Sequence, residues 1–324
     1  MSLLSTLRNG CLAAAVAIPG TVSAQTYPSK PIRLVVPFPA GGPADTIGRV
    51  FAEKFTTLIG QPVVIENRAG AGGVTGVAAV AKSDADGHTI GIATSGTLAI
   101  NVVLQEKMPY DPLKDLYLVT QAASVPELLV VGAQVPAKSL AELIALAKAQ
   151  PGKLNFASTG LGSMPHLAGE LLKFTAQIDI VHVPYAGAAP AVNDMLGGHV
   201  QMLFADVPVL LGSVQAGKLR ALAVGSKGRV PVLPDVPTTA EAGMPQIEAD
   251  NWYGLIAPAG LPPAVATRLH NVMVEALKTP DVTDKLSKQG VIVVASTSAV
   301  FTEYVKGEIE RWGKVVKAAG IKLK

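Results

Sequence analysis

The sequence predicts an α/β fold in two lobes, each a doubly wound sheet, with the chain crossing twice between them. Three observations carry this. Short apolar runs alternate with stretches of helical periodicity along most of the 324 residues. A strand that enters a glycine turn and then a helix occurs at 32–60 and recurs at 153–174. After a proline-rich connection at 227–249, the last helices return to the first half. The composition, 49% hydrophobic and 16% charged, supports a large core. The net charge of +3 is small and scattered, and only 5% of residues are aromatic, so neither a nucleic-acid platform nor an anionic membrane surface is expected as a partner.

Residues 1–24 read as a secretory signal. Arg8 is its only charge, 11–18 form a short apolar core, Pro19 and Gly20 break it, and 22–24 are small residues suited to cleavage. The run is too short to span a bilayer. Cys11, the sole cysteine, would leave with it, so the mature chain is expected to have no thiol for disulfides, catalysis or metal. No later segment is long and apolar enough to insert in a membrane.

The stretch 32–37 is a strand, rich in β-branched residues. Gly41 and Gly42 permit a tight turn, Pro43 suits a first helical position, and Asp45 sits where a first-turn acid belongs. Ile47, Val50, Phe51 and Phe55 fall at helical spacing, and Gly60 stops the helix. A second strand follows at 61–67. Glycines 70, 72 and 76 space one residue too long for a dinucleotide fingerprint, so the run reads as a packing turn before a helix at 77–82. The strand at 89–94 ends in Ser95, Gly96 and Thr97, at the strand end where ligands sit on parallel sheets.

A loop at 109–115 and a strand at 127–132 lead to Ser139 and Glu142, a capping box that opens a helix running to Pro151. The opening pattern then returns: strand 153–157, glycine-hydroxyl turn 158–163, helix 164–174 with Leu167, Leu171 and Leu172 on its buried side. Strand 180–185 precedes a helix led by Gly187 and Pro190. Strands at 201–205 and 219–224 follow, with Asp206 directly after the first. Beyond 249 come a strand at 252–257 and helices at 262–278 and 298–317, the last with Phe301, Tyr304, Trp312 and Val316 as its core face. The expected division is 27–125 plus 231–324 for one lobe and 126–230 for the other, joined by a hinge.

Facing glycine turns would aim two helix N-termini, with their free N–H groups and partial positive charge, into one cleft. Ser158, Thr159 and Ser163 add hydroxyls, and Ser95 and Thr97 extend the set. The chemistry suits a small carboxylate. His166, one turn into its helix, is a further candidate contact; His182 alternates with valines and reads as a packed strand residue. Asp45 and Asp206 either cap a helix or receive an ammonium or hydroxyl from a ligand. Tyr185 and Trp252 read as core. Ser163 does not lie in a nucleophile elbow, and the histidines at 88, 166, 182, 199 and 270 make no metal-ligand spacing. The competing reading is a secreted α/β hydrolase or transferase that uses Ser163 and His166.

Four separated segments, PFPAGGPAD at 37–45, ASTGLGSMPHLAGELL at 157–172, HVPYAGAAPAVNDMLGG at 182–198 and AGKLRALAV at 216–224, resemble the Bug-type receptors of tripartite tricarboxylate transporters. The resemblance covers essentially the whole mature chain. It implies a periplasmic receptor of the type II periplasmic-binding-protein fold, closing on an amino-acid, aliphatic or aromatic carboxylate and serving membrane permease subunits. It also implies that backbone N–H groups and ordered water of two loops hold one carboxylate. Carried over to this sequence, those loops supply Phe38, Gly41, Gly42, Ala44 and Asp45 on one side and Ser158, Thr159, Gly162 and Ser163 on the other. Gly160 belongs to the second loop. Pro43 lacks an N–H and narrows the donor set of the first. The expected state is a monomer without cofactor or metal.

Overall fold

A computed structural model describes residues 27–322. The signal reading at 1–24, with Cys11, lies outside the described residues. The first half opens with β1 (Ile32–Val36), α1 (Pro43–Ile59), β2 (Val63–Asn67), α2 (Val74–Ala81) and β3 (Thr89–Thr94). Both β2 and β3 pair with β1 in parallel, as a sheet built from strand-helix units requires. A π-turn at Gly96–Ile100 leads into α3 (Asn101–Leu104), and then comes β4 (Leu116–Gly132). This strand is 17 residues long. The sequence reading placed only its second part.

The second half contains α4 (Leu140–Ala149), β5 (Asn155–Ser158), α5 (Met164–Ala176), β6 (Val181–Pro184), α6 (Ala188–Leu196), β7 (Met202–Asp206), α7 (Val207–Gln215) and β8 (Leu219–Val224). The chain returns through β9 (Asp250–Pro258), α8 (Pro263–Lys278), α9 (Pro280–Ser287), β10 (Ile292–Val293) and α10 (Ser298–Ala319). The Ser139 cap forms, with Glu142 N–H donating to Ser139 Oγ at 3.2 Å, while the Glu142 carboxylate reaches one residue past the expected box partner and accepts from Lys138 N–H at 2.7 Å.

β4 belongs to both halves. Its residues 116–126 run antiparallel to β9, while Glu127 onward pairs antiparallel with β7 and β8. The sheet is therefore mixed at its centre, whereas strand-helix alternation alone predicts parallel strands throughout. β9 is antiparallel to β3, and the parallel ladders lie at the two flanks, β2-β1-β3 and β6-β5-β7. Where β4 changes partners, three segments meet through the backbone. Glu127 N–H donates to Ala249 O at 3.1 Å, Gly225 N–H to Glu127 O at 2.8 Å, and Ala249 N–H to Gly225 O at 2.8 Å.

One core lies between β1, β3 and β9 on one side and α1, α8 and α9 on the other, with Phe51, Phe55, Tyr253 and Met273 inside it. A second lies under α6 and α7. Val230 is buried there, with Val232, Leu233 and Val236 against it, so this stretch packs on the second half rather than rejoining the first at 231. Its prolines keep it off the ladders while its apolar side chains still find that core. A third core contains residues of both halves, among them Phe156, Leu129, Trp252, Phe301 and Trp312. On α10, Tyr304 is 37% exposed and Val305 is buried in the place expected for it.

Gly225 has no room for a side chain: a Cβ would stand 2.8 Å from both the carbonyl oxygen and the Cβ of Ala249. Replacing it with alanine must push two crossing segments apart. Gly225→Ala is expected to cost about 1–3 kcal/mol, as overpacking does, and chemical denaturation of the purified protein measures it; an unchanged midpoint would mean that the crossing is slack.

Candidate functional site

The N-terminal ends of α1, α5, α6 and α7 converge on one cavity between the halves. Gly42 and Pro43 line it from α1, Ser163, Met164 and Pro165 from α5, Gly187 to Pro190 from α6, and Asp206 and Val209 from α7. Each of these helices has a proline in its first turn, where the missing N–H is no loss. The Gly42 and Gly187 N-caps provide no side-chain cap. Their first-turn N–H groups are thus left to what the cavity holds. Phe38, Pro39 and Ala40 form one wall, and among the described residues no Lys, Arg or His lines the space. It offers about 50 Å³ to the centre of a water molecule. Phe38, Pro39 and Thr159 also border an outer groove of about 570 Å³ that runs past Gly70 to Gly73 and Tyr185.

Of the residues expected at the site, Phe38, Gly42, Pro43, Thr159, Ser163 and Asp206 reach the cavity, and Gly160 lines the outer groove. Gly41 is exposed on a neighbouring surface groove, and the remaining residues are buried behind the wall. Asp45 is 3% exposed, and its carboxylate is engaged by the protein. Oδ2 accepts from Gly41 N–H at 2.9 Å and Arg49 Nε at 2.8 Å, and Oδ1 accepts from Asn67 Nδ2 at 2.9 Å. It ties the 38–41 loop to β2 and spends the Gly41 N–H; Ala44 is buried in the core. Burial opposes its ionisation, but the Arg49 guanidinium, Gly41 N–H and Asn67 hold the carboxyl below the usual range. Thr97 Oγ1 turns back on Thr94, accepting from its N–H at 2.9 Å, and Ser95 Oγ donates to Asn251 Oδ1 at 2.7 Å.

The 158–163 loop is likewise held by its own groups. Ser158 Oγ accepts from Gly160 N–H at 3.2 Å and lies 2.7 Å from His182 Nε2. Ser163 Oγ donates to Gly160 O at 2.7 Å, and Gly162 N–H donates to His166 Nδ1 at 3.2 Å. His166 stacks on His182 at 4.2 Å. Burial lowers both imidazoles, His166 to about 3 and His182 to about 4, so both are neutral near pH 7. His166 therefore braces the loop from behind. Its ring is engaged with Gly162 rather than with Ser163, and the nucleophile-base pair of the hydrolase reading is not assembled. Gly162 has φ +72°, and a Cβ there would stand 2.2 Å from Asn101 Oδ1. Asn101 Nδ2 donates to both Gly96 O at 2.9 Å and Gly162 O at 3.1 Å, a direct link across the halves.

The cavity also holds residues that sequence reasoning missed: Thr94, Glu127, Asn251, Tyr253 and the first turn of α6. A signal existed for two of them. Glu127 is the only charge in the apolar run 125–132, and 187–190 repeats the glycine-then-proline signature of 42–43. Glu127 and Asp206 are cross-strand partners in the β4-β7 register. Asp206 accepts from Asn251 Nδ2 at 3.0 Å and, through its other oxygen, from the Tyr253 hydroxyl. Burial pushes Asp206 up to about 6 against those hydrogen bonds. Burial first, and then the charge of Asp206, hold Glu127 well above the carboxylate range.

A family profile described as "Tripartite tricarboxylate transporter family receptor" matches residues 47–321. "Protein BugT" of Bordetella pertussis is 41% identical over 316 residues, covering 97% of this chain and 97% of its own length. The solved structure "R. palustris Rpa4515 with adipate" superposes with a TM-score of 0.88 at 37% identity, over 91% of this chain and 99% of that one. "MatC (Rpa3494) from Rhodopseudomonas palustris with bound malate" gives a TM-score of 0.86 at 34% identity, over 90% of this chain and 100% of that one.

A raised carboxyl stabilises the fold fully below its unfolded value and loses that contribution as pH rises through its folded one, here about 6 for Asp206. The two buried histidines act in the opposite sense, since they lose stability on acidification. Comparing Asp206→Asn with the unaltered protein at each pH cancels the histidines. The melting temperature of the variant relative to the parent is expected to rise by about 2 °C or more from pH 4.5 to 7.5. A flat difference would show that Asp206 ionises at an ordinary pH.

Proposed function

The chain belongs to the tripartite tricarboxylate transporter receptor family, and we propose that it captures a small carboxylate in the cleft between its halves, without turnover, and presents it to the permease subunits of such a transporter. The reading is of a receptor working in the periplasm as a monomer, its lobes closing about the crossing at Glu127. Among the described residues no helix is long and apolar enough to cross a membrane.

The convergence of helix N-termini on a cavity that no basic side chain lines is the observation that carries this reading. An anion there is met by peptide N–H groups and helix dipoles alone. Each dipole contributes about 0.3–1 kcal/mol, and up to ~2 when partly buried. Hydrogen bonds to a charged group contribute about 1.5–3 kcal/mol each. A few of them reach the roughly −8 kcal/mol of micromolar binding once lobe closure is discounted. The adipate and malate named with the two solved relatives support a carboxylate as the anion.

Ala189, in the first turn of α6, lines the cavity and tests the reading without disturbing the core. A glutamate there is favoured by the helix end but places a carboxylate where the ligand's would lie. In calorimetry against a panel of mono- and dicarboxylates, Ala189→Glu is expected to weaken binding at least tenfold while its melting temperature stays level or rises. Binding equal to the parent's would overturn the site, and a parent protein that no carboxylate stabilises would overturn the function.

A further inference from the structure

The cavity has two ends of opposite character. At one, helix N-termini present N–H groups. At the other, Glu127 and Asp206 stand side by side on neighbouring strands, backed by Asn251 and Tyr253. Asp206 has a donor for each oxygen. Glu127 is 0% exposed; its one polar partner is the neighbouring Asp206 carboxyl, with which it can share a proton, and no N–H group meets either of its oxygens among the described residues. A proton on Glu127 could serve only one oxygen and would leave the other bare. A buried carboxyl left so is costly. The fold does satisfy its other buried glutamate: Glu308 receives the indole N–H groups of Trp252 and Trp312, each at 3.2 Å, and Arg311 at 3.0 Å. Glu127 has only the Asp206 carboxyl beside it and opens onto the cavity, so a donor for its remaining oxygen arrives with the ligand.

The charge around Glu127 decides what kind of donor that is. Asp206 is adjacent, Asp250 adds a further negative contribution, and among the described residues no cationic side chain lines the space. A second carboxylate on the ligand would face this acidic end, whereas a cation would complement it. Building on the carboxylate reading above, we propose that the ligand is an amino-carboxylate whose carboxylate sits at the helix N-termini and whose ammonium donates to Glu127, with Asp206 behind it. The contact is made on the residue whose backbone joins the crossing segments, so an ammonium there touches the hinge strand directly.

Calorimetry at pH 7.5 with chain-matched probes tests the proposal: alanine, β-alanine and 4-aminobutyrate against propionate, butyrate, malonate and succinate. At least one amino-carboxylate is expected to bind ten times tighter than the monocarboxylate and the dicarboxylate of its own length. Glu127→Gln is expected to shrink that ratio at least fivefold. A dicarboxylate preferred over its amino-carboxylate counterpart, or a ratio unmoved in Glu127→Gln, overturns the proposal and leaves the carboxylate receptor standing. Failure of every probe and of longer carboxylates alike ends the receptor reading and this proposal with it. The parent panel decides by itself if Glu127→Gln does not fold.

Discussion

The backbone crossing at Glu127, Gly225 and Ala249 is the constraint on which the rest of the molecule depends. One strand, β4, begins in one half and ends in the other. Its middle is hydrogen-bonded to two further segments, the end of β8 at Gly225 and the return into β9 at Ala249. Because side chains alternate along a strand, fixing the backbone of Glu127 fixes which face its carboxyl occupies. The strand pairing that carries the hinge thus also sets the floor of the cleft. Asn101 closes the far side, bonding Gly96 and Gly162 across the gap.

The loops of the cleft are built to leave N–H groups free without side-chain help. Asp45, Ser158, Ser163 and His166 look like ligand contacts by residue type, yet each is occupied in holding a loop or helix end. Their polar groups hold the Gly41, Gly160 and Gly162 peptides and set the loop geometry, while the N–H groups left to the cavity are those of the first turns of α1 and α6. The division follows from helix ends, which leave four N–H groups apiece without intrahelical partners.

Local pattern made much of this legible. The strand at 89–94, the strand at 219–224 and the helix from Pro43 were readable because short apolar runs, a glycine turn and a first-turn proline mark them locally. The first part of β4 was not, since Thr120, Gln121 and Ser124 interrupt the apolar run and its pairing with β9 lies more than a hundred residues away. The helix Val207–Gln215 was missed because Pro208 and Gly212 read as breakers, although a proline at that position starts a helix. The antiparallel centre of the sheet depends on which segments cross between the halves, which periodicity does not encode. The site divided in the same way. The turn at 42–43 announced itself, while Asn251 and Tyr253 enter the cleft only because β9 returns beside β4.

The end of the cavity where the helix N-termini meet is made of peptide groups, and peptide groups do not titrate. Acidity can neither switch that cradle off nor alter its sign while the fold stands. Any sensitivity of capture to the acidity of the surroundings must enter through the carboxyl floor or through the solute itself. A cavity arranged in this way sets groups that do not titrate at one end against groups that do at the other.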